Sequence, residues 1–158
     1  MKKLLGMIAL LALTLILTAC QSPTNEANFF QTYRNSYVGD NSAVGNIIHN
    51  LDWNNQLENI ELSTSQEPFG IQLNVKEMPP SKLLVENASY LFALVPNTEW
   101  LRFSNSEEKF QIVRSNLESW LGVKLTEISS QEDLQNLLTK HNLAEFPLSR
   151  RTNETTNR

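Results

Sequence analysis

The sequence has few of the residues on which most metal sites and many enzymes depend. It contains one cysteine, two histidines and five glycines in 158 residues. One cysteine excludes an intramolecular disulfide, and His49 and His141 have no cysteine or histidine partner at the spacing that zinc sites use. The chain has neither a Gly-x-Ser-x-Gly elbow nor a glycine-rich phosphate loop. We therefore expect no metal, no cofactor and no enzymatic activity.

Clusters of basic residues are also missing. The chain has 13 basic and 17 acidic residues, a net charge of −4. The nearest approach to a basic run is Arg150 and Arg151 with Arg158, in a polar C-terminal segment. Because binding to nucleic acid requires clustered positive charge, we expect no nucleic-acid partner.

One long apolar run lies at the N-terminus, after the basic residues Lys2 and Lys3. Residues 4–19 (LLGMIALLALTLILTA) contain no charged residue. As a helix they would span about 24 Å, less than the roughly 30 Å of a hydrocarbon core. A basic start followed by a short apolar run is typical of an export signal. Removal of residues 1–19 would lower the basic count from 13 to 11 and the net charge from −4 to −6.

The junction after this run is Leu17-Thr18-Ala19-Cys20, which resembles the lipobox of bacterial lipoprotein precursors at all four positions. The resemblance implies that a diacylglyceryl group is attached to Cys20 and that the leader is cleaved before it. Two acyl chains hold a protein stably at a bilayer. We therefore expect a lipid-anchored protein at the extracytoplasmic face of the cell membrane. The alternative is an uncleaved signal anchor with an incidental cysteine.

Composition divides the rest of the chain into three parts. Residues 20–28 are predicted to form a flexible tether, and residues 147–158 (PLSRRTNETTNR) a polar, disordered tail. Residues 29–146 between them have the length of one domain.

Four segments of this domain have helical patterns. Val44, Ile47, Ile48 and Leu51 follow Asp40 at helical spacing. A second helix is predicted after Pro79-Pro80, and a third from a capping box at 115–118 to Gly122. The fourth begins at Ser130 and is predicted to include His141 in its last turn.

Alternating patterns predict strands in two pairs. The first pair is residues 60–63 and 69–75, and the second is residues 100–103 and 109–113. Short polar turns separate the members of each pair, as in antiparallel hairpins. We therefore predict a single α+β domain with an antiparallel sheet of about four strands and helices packed on one face.

Three segments resemble a known family. Residues 33–51 (YRNSYVGDNSAVGNIIHNL), residues 87–97 (NASYLFALVPN) and the last helix around Leu134 to Leu138 resemble, in this order, the domain of unknown function 4825 of Gram-positive lipoproteins. The resemblance implies a membrane-anchored, exported protein. It implies no catalytic residues, because the family has no established activity.

The densest group of potential site residues lies at the first of these segments: Tyr33, Arg34, Tyr37, Gly39, Asp40 and Asn41. A left-handed turn at the glycine would let Asp40 and Asn41 hold a cation or a polar ligand. The alternative is that Asp40, Asn41 or Ser42 caps the following helix and that the tyrosines pack at its start, which accounts for every residue type present.

A second possible site lies on the third predicted strand. Trp100 and Arg102 alternate with Leu101 and Phe103, so that one pair faces away from the core. If Trp100 and Arg102 are exposed, they could anchor a protein interface. The alternative is that a loop or the Phe29-Phe30 segment covers them.

These features favour a non-catalytic interaction or ligand-sensing domain held at the membrane through Cys20, with an envelope protein as a possible partner. Two alternatives stay open. One is an envelope enzyme that uses carboxylates or Tyr and Arg groups near Asp40, and the other is an envelope assembly factor or chaperone.

Overall fold

The computed structural model describes residues 25–150, in which helices and strands alternate along the chain. The predicted leader 1–19, Cys20 with the start of the tether, and residues 151–158 lie outside the described residues. The helices are α1 (Asn25–Tyr33), α2 (Asn41–Asn50), α3 (Ser81–Leu94), α4 (Arg114–Leu121) and α5 (Gln131–Leu138), with 3-10 turns at Leu125–Glu127 and Leu143–Glu145. The strands are β1 (Leu57–Ser63), β2 (Gly70–Val75), β3 (Trp100–Ser104), β4 (Lys109–Val113) and β5 (Ser149–Arg150).

The two predicted hairpins are confirmed. β1 pairs antiparallel with β2, with Leu62 opposite Ile71, and β3 pairs antiparallel with β4, with Leu101 opposite Ile112. The inward residues of the central strands are fully buried, which explains the alternation in the sequence.

The α+β class is confirmed, but the prediction of a purely antiparallel sheet is wrong. Five strands lie in the order β1-β2-β3-β4-β5, and β2 and β3 are parallel, with Ile71 opposite Leu101. The cause is α3, which joins the two hairpins. It returns the chain to the end of the sheet at which β2 begins, so that β3 runs in the same direction. Parallel neighbours require such a crossover.

Helix α3 is the centre of the core. Ten of its 14 residues are buried, from Leu84 to Leu94. The inward residues of the sheet belong to the same core as this helix, and the C-terminal 3-10 turns contact it as well. Surrounded in this way, α3 has an apolar stripe that is broader than that of a surface helix. The outward side chains of the central strands, Gln72, Asn74 and Arg102, are polar and half-buried.

Two boundaries differ from the predictions at the ends of the domain. Helix α1 begins at Asn25, inside the predicted tether, and brings Phe30 into the core with no exposed surface. At the other end, Ser149 and Arg150 pair with β4, and Leu148 packs against the core. The prediction of a disordered segment is therefore wrong for residues 147–150. The free edge of β4 offers backbone hydrogen-bond partners, which the composition of the segment does not reveal.

Helix ends were predicted with mixed success. Gly122 ends α4 in the left-handed conformation at φ 71°, and the Ser130 hydroxyl caps α5, as predicted. The capping box at 115–118 is wrong, because α4 begins at Arg114 without a side-chain cap and Glu118 is used elsewhere. Helix α5 ends at Leu138, so His141 lies in the turn that follows rather than in the helix.

Candidate functional site

The segment from Tyr33 to Asn41 is a joint between α2 and the end of α3. The backbone N–H of Ser36 donates to Leu94 O at 3.0 Å, and that of Val38 donates to Asn97 Oδ1 at 2.9 Å. Val38 is 1% exposed. These bonds bring together two of the three segments on which the family resemblance depends.

Asp40 caps α2. Its Oδ1 accepts from the backbone N–H of Ala43 at 2.9 Å, and Asn41, the first residue of the helix, is exposed. Gly39 does not form the left-handed turn on which the ligand alternative depends, and the left-handed residue of this segment is Asn35, with φ 65°. Asp40 therefore acts as the helix cap, as the second alternative predicted.

The remaining members of this group are separated. The Tyr33 ring packs on Phe29 with centroids 5.3 Å apart, whereas Tyr37 is 69% exposed. Arg34 is half-buried, and its Nε has no hydrogen-bond partner among the described residues. Within residues 25–150 no three His, Cys, Asp or Glu side chains are grouped so that they could hold a metal ion.

Both histidines bond to the backbone of their own segments. His49 Nδ1 lies 2.7 Å from Gly45 O, one helical turn earlier. His141 Nδ1 lies 3.1 Å from Leu137 O, and its ring contacts Trp120 at 5.1 Å between centroids. Neither arrangement places a histidine beside a candidate nucleophile.

Trp100 and Arg102 lie on the polar face of the sheet, both half-buried. The indole ring of Trp100 covers Gly70 so closely that a Cβ there would lie 2.1 Å from the ring, and its Nε1 donates to Pro68 O at 2.9 Å. The Arg102 guanidinium lies 4.7 Å from the centre of the same ring, a cation–π distance. The two alternatives for covering Trp100 were a loop and the Phe29-Phe30 segment. The loop before β2 contacts it, through Pro68.

A row of polar side chains crosses this face. Glu61, Gln72, Arg102 and Gln111 occupy opposed positions on four successive strands. Arg102 Nη1 donates to Gln72 Oε1 at 3.2 Å, and Nη2 donates to Gln111 Oε1 at 3.3 Å. The two amides hold the guanidinium between neighbouring strands, so this face is an ordered polar surface.

One buried arginine was not predicted from the sequence. Arg114, 6% exposed, donates to three backbone carbonyls at the end of α3 and just beyond it. Nε reaches Thr98 O at 2.7 Å, while Nη1 and Nη2 reach Phe92 O and Val95 O at 2.9 Å each. A cation is favourable there because carbonyl oxygens at a helix C-terminus carry partial negative charge.

Glu118 completes this buried group. Its Oε1 lies 3.4 Å from Arg114 Nη1 and accepts from the backbone N–H of Leu125 at 3.0 Å, and its Oε2 accepts from Lys124 at 3.2 Å. Burial lowers the pKa of Arg114, and the Glu118 carboxylate opposes that shift. No local pattern could have revealed this group, since its partners come from separate segments of the chain.

An open cleft of about 390 Å³ lies where α1, α3, α5 and the end of α2 meet. It is lined by Phe29, Asn50, Leu51, Asp52, Leu83, Glu86, Asn87, Tyr90 and Gln131. Asn87 and Tyr90 are 3% and 7% exposed and form part of its wall. No sequence pattern predicts this cleft, because its lining comes from four segments that are distant from one another in the chain.

Fold and site together define a small α+β domain with a mixed sheet, one helix-covered face and a polar cleft between helices. Its residues 30–114 match the family model described as a domain of unknown function (DUF4825), which spans more than half of the chain, and the chain belongs to this family. No curated protein and no solved structure is significantly similar to it. Within residues 25–150, no helix is both long and apolar enough to cross a bilayer.

Proposed function

We propose that this chain is an exported lipoprotein, held at the extracytoplasmic face of the cell membrane through Cys20, whose domain binds a ligand without catalysing a reaction. The leader and the Leu17-Thr18-Ala19-Cys20 junction support the anchor. Helix α1 begins at Asn25, and an extended chain covers at most about 3.6 Å per residue. A lipid on Cys20 would therefore keep α1 within about 18 Å of the bilayer.

The cleft beside α1 is the observation that carries the binding function. A volume of about 390 Å³ is in the range of small-molecule sites. Its lining places five acidic and amide side chains beside four apolar or aromatic ones, and such polar groups can orient a ligand. The use of Asp40 as a helix cap supports a non-catalytic domain over an envelope enzyme built around that carboxylate.

Metabolic labelling with a fatty-acid analogue tests the anchor. Cys20→Ser should abolish the label and leave an uncleaved or mislocalised precursor. Thr18→Ser is the matched control, since it keeps a small residue before the cysteine, and it should be labelled like the parent. Undiminished labelling of the Cys20→Ser protein would refute the anchor.

A second candidate function is the binding of an envelope protein at Trp100 and Arg102. The stacked pair on the polar sheet face favours it, because tryptophan and arginine are enriched at the centres of interfaces. A photo-crosslinker at Gln111, beside Arg102, should give a discrete product in cells that Arg102→Gln removes. A crosslinker at the exposed Glu132 should not give that product, and the same product from both positions would contradict this role.

A further inference from the structure

Acidic and amide side chains supply hydrogen-bond acceptors to the lining of the cleft beside α1. Asp52 and Glu86 contribute carboxylates. Two amides of the lining each use one N–H elsewhere, because Asn50 Nδ2 donates to Asn46 O at 2.8 Å and Asn87 Nδ2 donates to Asp52 O at 2.5 Å. Each amide also has a carbonyl oxygen that can accept a hydrogen bond.

A further acceptor lies in the wall. Gln131 Oε1 is buried and has no donor among the described residues. A buried acceptor without a partner is unfavourable by about 1–3 kcal/mol. A rotation of the carboxamide toward the cleft would let a bound donor satisfy it.

The charge of the cleft has one sign. Among the described residues, the lining contains two acidic side chains and no lysine, arginine or histidine. The rings of Phe29 and Tyr90 also contribute to it, and aromatic faces attract cations. Acceptors, carboxylates and rings are together complementary to an ammonium group.

We propose that this cleft binds a small organic cation that carries primary ammonium groups. The inference rests on the proposed binding function and names the chemical class of its ligand. The two carboxylates repel a phosphate, so the ligand is an ammonium compound without an attached phosphate group. This excludes a phospholipid headgroup as the source of the amine.

Calorimetric titration of the detergent-solubilised, full-length protein tests this proposal with three molecules that share a five-carbon chain. We expect 1,5-diaminopentane to bind with a dissociation constant below about 1 mM, and 1,5-pentanediol and glutarate to bind at least about tenfold more weakly. O-phosphoethanolamine should also bind at least about tenfold more weakly than the diamine. Equal binding of the diamine and the diol, equal binding of O-phosphoethanolamine, or no binding of the diamine would overturn the proposal.

Matched charge variants locate the binding site. Glu86→Gln should weaken diamine binding by about fivefold, whereas Glu58→Gln, the same change at an exposed position of β1, should leave it unchanged. Asn50→Asp adds a carboxylate at the rim and should strengthen binding. Equal losses from the two glutamate variants would mean attraction to the acidic protein as a whole and would refute the site.

These outcomes are distinguishable from a failure of the proposed function. Binding of the diol or glutarate, weakened by Leu83→Trp in the cleft wall, would leave a ligand-binding domain with another ligand class. The lipid-labelling experiment with Cys20→Ser reports on the anchor independently of any ligand.

Discussion

Two arginines twelve positions apart, Arg102 and Arg114, show how differently one residue type can be used in this domain. Arg102 lies on the polar sheet face, where its partners include two neutral amides and an indole ring. Arg114 is buried, and its partners are three backbone carbonyls and a buried carboxylate. The first arginine orders a surface, whereas the second joins the end of α3 to the start of α4.

The largest effect is expected from Arg114→Met. The substitution leaves Glu118 buried without its cation and removes the donors to three carbonyls, so we expect a loss of about 3–5 kcal/mol in the free energy of unfolding. Urea denaturation followed by circular dichroism measures it. A loss below about 1 kcal/mol would show that water replaces the guanidinium and that the group is not a joint.

Asp40 should have an intermediate effect, because its cap lies at an exposed helix start. We expect Asp40→Ala to lower the free energy of unfolding by about 0.5–2 kcal/mol and Asp40→Asn to be nearly neutral, since asparagine caps about as well. Thermal melts with and without excess calcium measure both variants. If both substitutions lowered the melting temperature equally, and calcium raised the melting temperature of the parent, Asp40 would be a calcium ligand rather than only a cap.

Arg102→Met completes the comparison between the two arginines. Because Arg102 is only half-buried and the amides of Gln72 and Gln111 that it contacts are neutral, we expect a loss below about 1 kcal/mol in the same urea experiment. A loss as large as that of Arg114→Met would mean that the sheet depends on the polar row for its assembly.

The smallest effect is expected at Asp133, an exposed carboxylate in the first turn of α5. Hydrogen bonds from Ser130 and Ser129 lower its pKa below the usual 3.8. A lowered pKa in the folded state means that its contribution to stability is present above the ordinary pKa and is lost as the pH falls through the folded-state value. The melting temperatures of the parent and Asp133→Asn should therefore differ at neutral pH and converge in acid, and a constant difference would contradict this role.

The features that the sequence predicted are those specified by neighbouring residues. The cap at Asp40, the stop at Gly122 and the hairpins each depend on residues a few positions apart. The parallel pairing of β2 and β3, the Arg114 group and the cleft depend on residues that are distant in the chain, and nothing local specifies them. The capping box at 115–118 shows the difference, because its glutamate satisfies the Leu125 backbone N–H rather than that of its own helix.

The parallel register between β2 and β3 has a consequence for how the domain folds. Each hairpin closes a short loop and can form early, but Ile71 and Leu101 meet only after the whole segment between the hairpins is in place. We therefore expect two locally formed hairpins to dock late in folding, with α3 as the slow step between them. Arg114 directly follows β4 and binds carbonyls at the end of α3, so this contact holds the crossover helix beside the second hairpin.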